Sequence, residues 1–160
     1  MPNVPCGETG QIADADAIWR TFKNDINYLE YDVDAGGWRP AATMQAFNFD
    51  HTTHEMSGRW REHLQGDGWV PRGLVNPGSG YSLVYEADAG ALRAVLADGD
   101  PLTVDHTPTG PTPPDCAHAS VYWPLRMEET PARSKRLEVR SRLADLFRLV
   151  EGTIALLPPN

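Results

Sequence analysis

The apolar positions change period several times along the chain. Ile18, Trp19 and Phe22 recur at helical spacing after Asp14 and Asp16, either of which can cap, so the pattern predicts a helix running to about Asn24. Ile26 to Val33 has the composition of a strand, and Ala35-Gly36-Gly37 is a turn signal. Gln45 to Phe49 alternates, which predicts a strand with Phe47 and Phe49 on its core face. Glu55 to Leu64 reads as a short charged helix ended by Gly66-Asp67-Gly68. Tyr81 to Glu86 is the clearest strand, with Tyr81, Leu83 and Tyr85 on one face. Asp88 can cap a helix over Ala89 to Leu96. Leu102–His106 and Ala119–Trp123 predict two further strands, separated by Thr107–Pro114, a proline-rich stretch expected to be extended and stiff. From Pro131 the residues Leu137, Val139, Leu143, Leu146, Phe147, Val150 and Ile154 form a broad apolar stripe, which predicts a long helix to about Leu157.

Strands and helices do not alternate strictly. The expectation is a single α+β domain built on a mainly antiparallel, twisted sheet, with a few helices and a long amphipathic C-terminal helix. Residues 1–12 read as a flexible N-terminal arm, 13–124 as the core domain and 125–160 as the C-terminal helix.

Composition sharpens this. A chain of 160 residues with 41% hydrophobic and 22% charged positions suits one folded domain. The net charge of -8 repels phosphate backbones and disfavours nucleic acid as a partner. The charge is uneven: the first 125 residues carry seven Lys/Arg against seventeen Asp/Glu, and the remainder seven against five. No Arg/Lys-led apolar run opens the chain, and no apolar run approaches the roughly 20 residues that span a bilayer. With only Cys6 and Cys116, the expectation is a soluble cytoplasmic protein with free thiols.

Several motifs occur in a recognisable order: Ile18-Trp19-Arg20, Arg39-Pro40 followed by Ala46-Phe47, Glu55-Met56-Ser57, Gly80-Tyr81-Ser82-Leu83-Val84, and Pro114 with Ala117-His118-Ala119. This set resembles a family of small bacterial proteins of uncharacterised activity, over residues 17–123. The resemblance implies a bacterial origin and a shared fold, and carries over no activity. The tail from about residue 125 lies outside it.

Three kinds of site compete. The stretch MQAFNFDHTTHEMSGRWREHL (44–64) concentrates versatile side chains. His51 and His54, with Cys116 and His118, offer three imidazoles and a thiolate, the donor set of a tetrahedral zinc site; otherwise no cofactor is implied. HTTHE is not the zinc-protease signature, because its glutamate follows the second histidine. A metal-free site would use His118 as general acid or base with Ser57, and Arg39 and Arg59 as anion binders. A docking surface would use Trp38, Trp60 and Trp69 in loops or at element ends and Leu143 and Phe147 on the tail helix, for a protein partner or a second copy. No phosphate-binding glycine loop, GxSxG elbow or paired catalytic carboxylates stand out. The leading expectation is therefore an accessory module that docks on a protein partner. The alternative is an enzyme for a small anionic or nucleotide-like substrate, with or without zinc.

Overall fold

The computed structural model describes residues 8–23, 29–34, 36–40, 47–50, 53–75, 81–124 and 132–151. Six strands form one antiparallel sheet: β1 (Ala17–Lys23), β4 (Glu55–Trp60), β5 (Tyr81–Asp88), β8 (Thr103–His106), β9 (His118–Tyr122) and β10 (Arg148–Glu151). Their order is β10-β5-β1-β4-β9-β8. Two small ribbons pair β2 (Leu29–Asp32) with β3 (Gly37–Pro40), and β6 (Leu96–Ala97) with β7 (Asp100–Pro101). The helices are α1 (Arg61–Gly66), α2 (Ala89–Arg93) and α3 (Arg133–Leu146). The α+β class and the mostly antiparallel sheet match the expectation, and no described helix is long and apolar enough to cross a membrane.

The sheet carries apolar groups on both faces. Ile18, Phe22, Met56, Trp60, Leu83, Tyr85, Val104 and Val121 pack with Leu92 of α2 and with Val139, Leu143 and Phe147 at α3. On the opposite face Trp19, Leu64, Val84 and Ala117 form a smaller cluster, joined by Trp69, Leu74 and Val75.

Several local expectations are corrected. The predicted helix from Asp14 or Asp16 is β1 instead. Ile18 and Phe22 face one core and Trp19 the other, so a strand buried on both faces mimicked a helical stripe. Asp16 caps no helix; its Oδ2 accepts from the Ala13 amide and the Trp60 indole. The predicted Glu55–Leu64 helix begins only at Arg61, because Met56, Gly58 and Trp60 alternate as the buried face of β4. α2 ends at Arg93, short of Leu96, since Leu96 pairs with Pro101 across a turn in which Asp98 and Gly99 have φ of 54° and 90°. Phe47–Phe49 is not a strand, although Phe47 is fully buried; Gln45 lies outside the described residues.

Thr107–Pro114 is folded back rather than extended: the Thr107 amide bonds the His118 carbonyl and the Thr109 amide the Asp115 carbonyl. The tail helix stops at Leu146. Phe147 is extended, and Arg148–Glu151 pairs with the outer edge of β5, which satisfies that strand's open backbone groups. Cys116 is disulfide-bonded, not free; the only other cysteine in the sequence is Cys6. Its sulfur is therefore not a thiolate ligand.

Candidate functional site

The sheet is not laddered evenly. β1 pairs with β5 along its whole length, but with β4 only at Ile18↔Trp60 and Trp19↔Arg59. β4 meanwhile pairs with β9 from Glu55 to Arg59. Two strands held by different neighbours diverge beyond Trp19. The Arg20 guanidinium crosses the opening and donates to the Ser57 carbonyl. Gly58 permits the close approach at the narrow end: a Cβ there would meet Ile18 Cγ2 at 2.4 Å.

This divergence underlies a cleft of about 500 Å³. Trp19, Arg20 and Thr21 line it from β1, Ser57, Gly58 and Arg59 from β4, and Trp69 and Gly73–Val75 from the segment after α1, with Pro114 at one end. Trp69 is set by the end of α1. The Gly68 amide bonds the Gln65 carbonyl, the Trp69 amide bonds the Leu64 carbonyl, and Gly68 takes a φ of 83° that favours glycine. The Trp69 ring then lies on the Gly73 backbone, where an added Cβ would sit 2.9 Å from Cε3.

Arg59 is, with Arg20, one of two half-buried cations among the described residues that line the cleft. Its Nη1 donates to the Gly58 carbonyl at 3.1 Å, and its Nη2 stands 3.7 Å from Asp115, beyond hydrogen-bond length. Its Nε is buried with no hydrogen-bond partner among the described residues. Burial pulls the guanidinium below its ordinary value, and the Asp115 carboxylate offsets only part of that.

Behind Arg59, on the same face, lies a polar chain. Arg59 is opposite His118, Ser57 opposite Ser120, and Glu55 two residues further along β4. Ser120 Oγ donates to Glu55 Oε1 at 2.5 Å and is 2.5 Å from Thr107 Oγ1, which is 3.0 Å from His118 Nδ1. His118 Nδ1 also lies 2.9 Å from the Thr107 carbonyl, which requires that nitrogen to carry the proton if it donates there. Its Nε2 then keeps a lone pair, 3.9 Å from Glu55 Oε1. Burial, then the Arg59 charge, lowers the His118 pKa below 6.5 despite the Thr107 carbonyl, Glu55 and Asp115. A neutral imidazole of this kind is chemically a base, but it is 7% exposed and does not line the cleft.

Of the residues expected from sequence, Ser57 and Arg59 share the cleft and His118 adjoins Arg59. Trp38 and Arg39 belong to the β2–β3 ribbon, in register with Tyr31 and Glu30, and not to the six-stranded sheet. Trp60, Leu143 and Phe147 are core residues covered by this chain, whereas Trp69 is half-buried on the cleft wall.

The zinc donors among the described residues do not assemble. His54 precedes β4 while His118 faces its far end, so the backbone ladder separates them by about 16 Å at strand rise. His51 lies outside the described residues. Among the described residues, no group of three or more His, Cys, Asp or Glu could hold a metal ion. Arg20, Glu55, Thr107, Asp115 and Ser120 were not singled out from sequence. Glu55 and Ser120 had one signal, alternation: Glu55, Ser57, Arg59 and His118, Ser120 occupy every second position on adjoining strands.

No protein-family model, curated protein or solved structure matches this chain, so the resemblance to a bacterial family rests on its short motifs alone.

Proposed function

We propose that the chain is a binding domain for a small anionic molecule, held in the cleft between β1 and β4 with Arg59 and Ser57 on its polar wall. The observation that carries this reading is the incomplete pairing of Arg59. A guanidinium that has lost much of its hydration normally recovers it through bonds to its own protein, and among the described residues Nε has none and Nη2 has only a long contact. An anion at the exposed part of the guanidinium would recover part of that loss. The test is nuclear magnetic resonance titration of the labelled protein with acetate and with phosphate at constant ionic strength. Saturable shifts at Arg59, Ser57 and Trp69, abolished by Arg59→Gln in a folded protein, are expected. Shifts scattered over the surface, or none, would remove the reading.

The enzyme reading is second, and the Glu55–Ser120–Thr107–His118 chain favours it, because it holds an imidazole in one orientation beside the anion-binding arginine. In that reading His118 is the acid/base for an anionic substrate. Its test is a turnover assay on any anion found to bind: full activity in a folded His118→Ala variant would eliminate it. Docking of a protein partner through Leu143 and Phe147 draws no support from this geometry, since both side chains are buried.

A further inference from the structure

The cleft has two unlike walls, and their chemistry narrows the ligand beyond "anion". On one side stand Arg59, whose Nη2 has a long 3.7 Å contact to Asp115, and Ser57, which is exposed. On the other side stands Trp69, a rigid aromatic plane pressed on Gly73, with Leu74 and Val75 beside it. Trp19, almost wholly buried, also lines the cleft, and its indole nitrogen donates to Glu86 and so offers the cleft no donor.

From these we infer that the ligand is a monoanionic carboxylate carried on an aromatic ring, the carboxylate on Arg59 and the ring against Trp69. The inference rests on the anion-binding reading above and specifies its ligand class. Charge argues for one negative charge rather than two. Asp115 stands 3.7 Å from Arg59 and already offsets part of its charge, the other guanidinium on the cleft, Arg20, is bonded to the Ser57 carbonyl, and the whole chain carries -8. A phosphate dianion would be repelled by that carboxylate, whereas a carboxylate matches what remains of the Arg59 charge. Shape argues for a plane. Trp69 is fixed by the α1 end turn and by Gly73, so it need not be ordered on binding, and a stacked or edge-on ring exploits a surface already immobilised. The volume of about 500 Å³ is within the range of small-molecule sites.

Four probes separate the contributions: benzoate (ring and carboxylate), acetate (carboxylate alone), benzyl alcohol (ring alone) and inorganic phosphate. Each is titrated into the intact protein at pH 7.5, followed by tryptophan fluorescence and by amide shifts at Arg59 and Trp69. Benzoate is expected to bind at least about tenfold more tightly than each of the others, the factor expected of one aromatic contact. In Trp69→Leu, benzoate is expected to lose its advantage over acetate.

Equal binding of benzoate and acetate at Arg59 would overturn the aromatic assignment and leave anion binding intact. Tighter phosphate than benzoate would overturn the monoanion assignment. Binding by none of the anions would remove both inferences together. The wild-type comparison alone decides these outcomes, so a variant that fails to fold does not remove the test.

Discussion

Arg59 and His118 stand opposite one another across the β4–β9 ladder, and the charge of the first helps keep the second neutral. Burial is the larger cause, Arg59 the next, and the Glu55 and Asp115 carboxylates oppose both. Removing the Arg59 charge should therefore raise the His118 pKa, and removing the Asp115 charge should lower it. Titration of the His118 ring protons in Arg59→Gln and in Asp115→Asn checks both directions. A His118 pKa that does not rise in Arg59→Gln would mean that the two side chains are not electrostatically coupled.

Gly58 marks the place where the sheet is tightest. A Cβ there would overlap Ile18 Cγ2 at 2.4 Å and press on the Trp19 carbonyl at 3.1 Å. Ile18 is fully buried, so it has no free space to turn into. Gly58→Ala is expected to cost about 1–3 kcal/mol, the range for overpacking a core. It should also widen the junction from which the cleft opens. Urea denaturation measures the first effect. A variant as stable as the parent would show that β1 and β4 are not held this closely.

The class of fold was legible in the sequence because Thr103–His106 alternates cleanly with one face buried, and Tyr81–Glu86, although buried on both faces from Leu83 to Glu86, is rich in the strand-favouring residues Tyr81, Val84 and Tyr85. β1 was not legible, because a central strand covered on both sides by Trp19 and by Ile18 and Phe22 has no period of its own. β10 was hidden for another reason: Phe147, Leu149 and Val150 continue the apolar run of α3, and only the open edge of β5 favours a strand there. Ser57, Arg59 and His118 were visible as chemically capable residues. Their grouping was not, since it depends on the register of β4 against β9, a long-range pairing that no local spacing encodes. Glu55, read as part of a helix, could not be aligned with Ser120 until that register was known.

Glu86 ties three strands on the face that holds the smaller core. Its Oε1 accepts from the Trp19 indole at 3.1 Å and from Arg61 at 2.9 Å, and its Oε2 accepts from Arg148 at 2.9 Å. Burial pushes its pKa up, but the bonds from Arg61 and Trp19 and the charges of Arg61 and Arg148 outweigh it, so the net direction is below 4.5. A carboxyl depressed in the fold stabilises above its unfolded pKa and loses that contribution as pH falls through the folded value. Glu86→Gln should cost about 1–3 kcal/mol at neutral pH, the penalty for disrupting buried, charge-assisted bonds. The difference between parent and variant should shrink as the pH is taken below 4.5. Denaturation midpoints at pH 7 and pH 3.5 test this. A gap that is constant across both would mean that the Glu86 charge contributes nothing.

His106 joins the N-terminal segment to the sheet through one protonation state. Its Nδ1 accepts from the Gly10 amide at 2.8 Å, so Nδ1 is unprotonated, and its Nε2 therefore carries the hydrogen that meets the Cys116 carbonyl at 2.7 Å. Protonation would put a second hydrogen on Nδ1, pointing at the Gly10 N–H, and would break that bond. The ring is buried, with His63 at 5.4 Å and Trp60 at 5.1 Å between centroids. Burial first, and then the neighbouring His63 and His118, lowers its pKa from 6.5 against the pull of the Cys116 carbonyl. Because the folded value is the lower one, the unfolded chain binds more protons in the interval beneath 6.5. Stability is therefore complete above that pH and is lost as pH falls through the folded value. His118 acts with the same sign, so the test must isolate His106. His106→Gln keeps an acceptor and a donor but does not titrate. The parent should lose more stability between pH 7.5 and pH 5 than this variant does, and hydrogen exchange at the Gly10 amide should accelerate on acidification in the parent alone, after correction for the intrinsic pH dependence of exchange. Equal losses in the two proteins, with Gly10 protected alike, would show that His106 is not what fastens the segment.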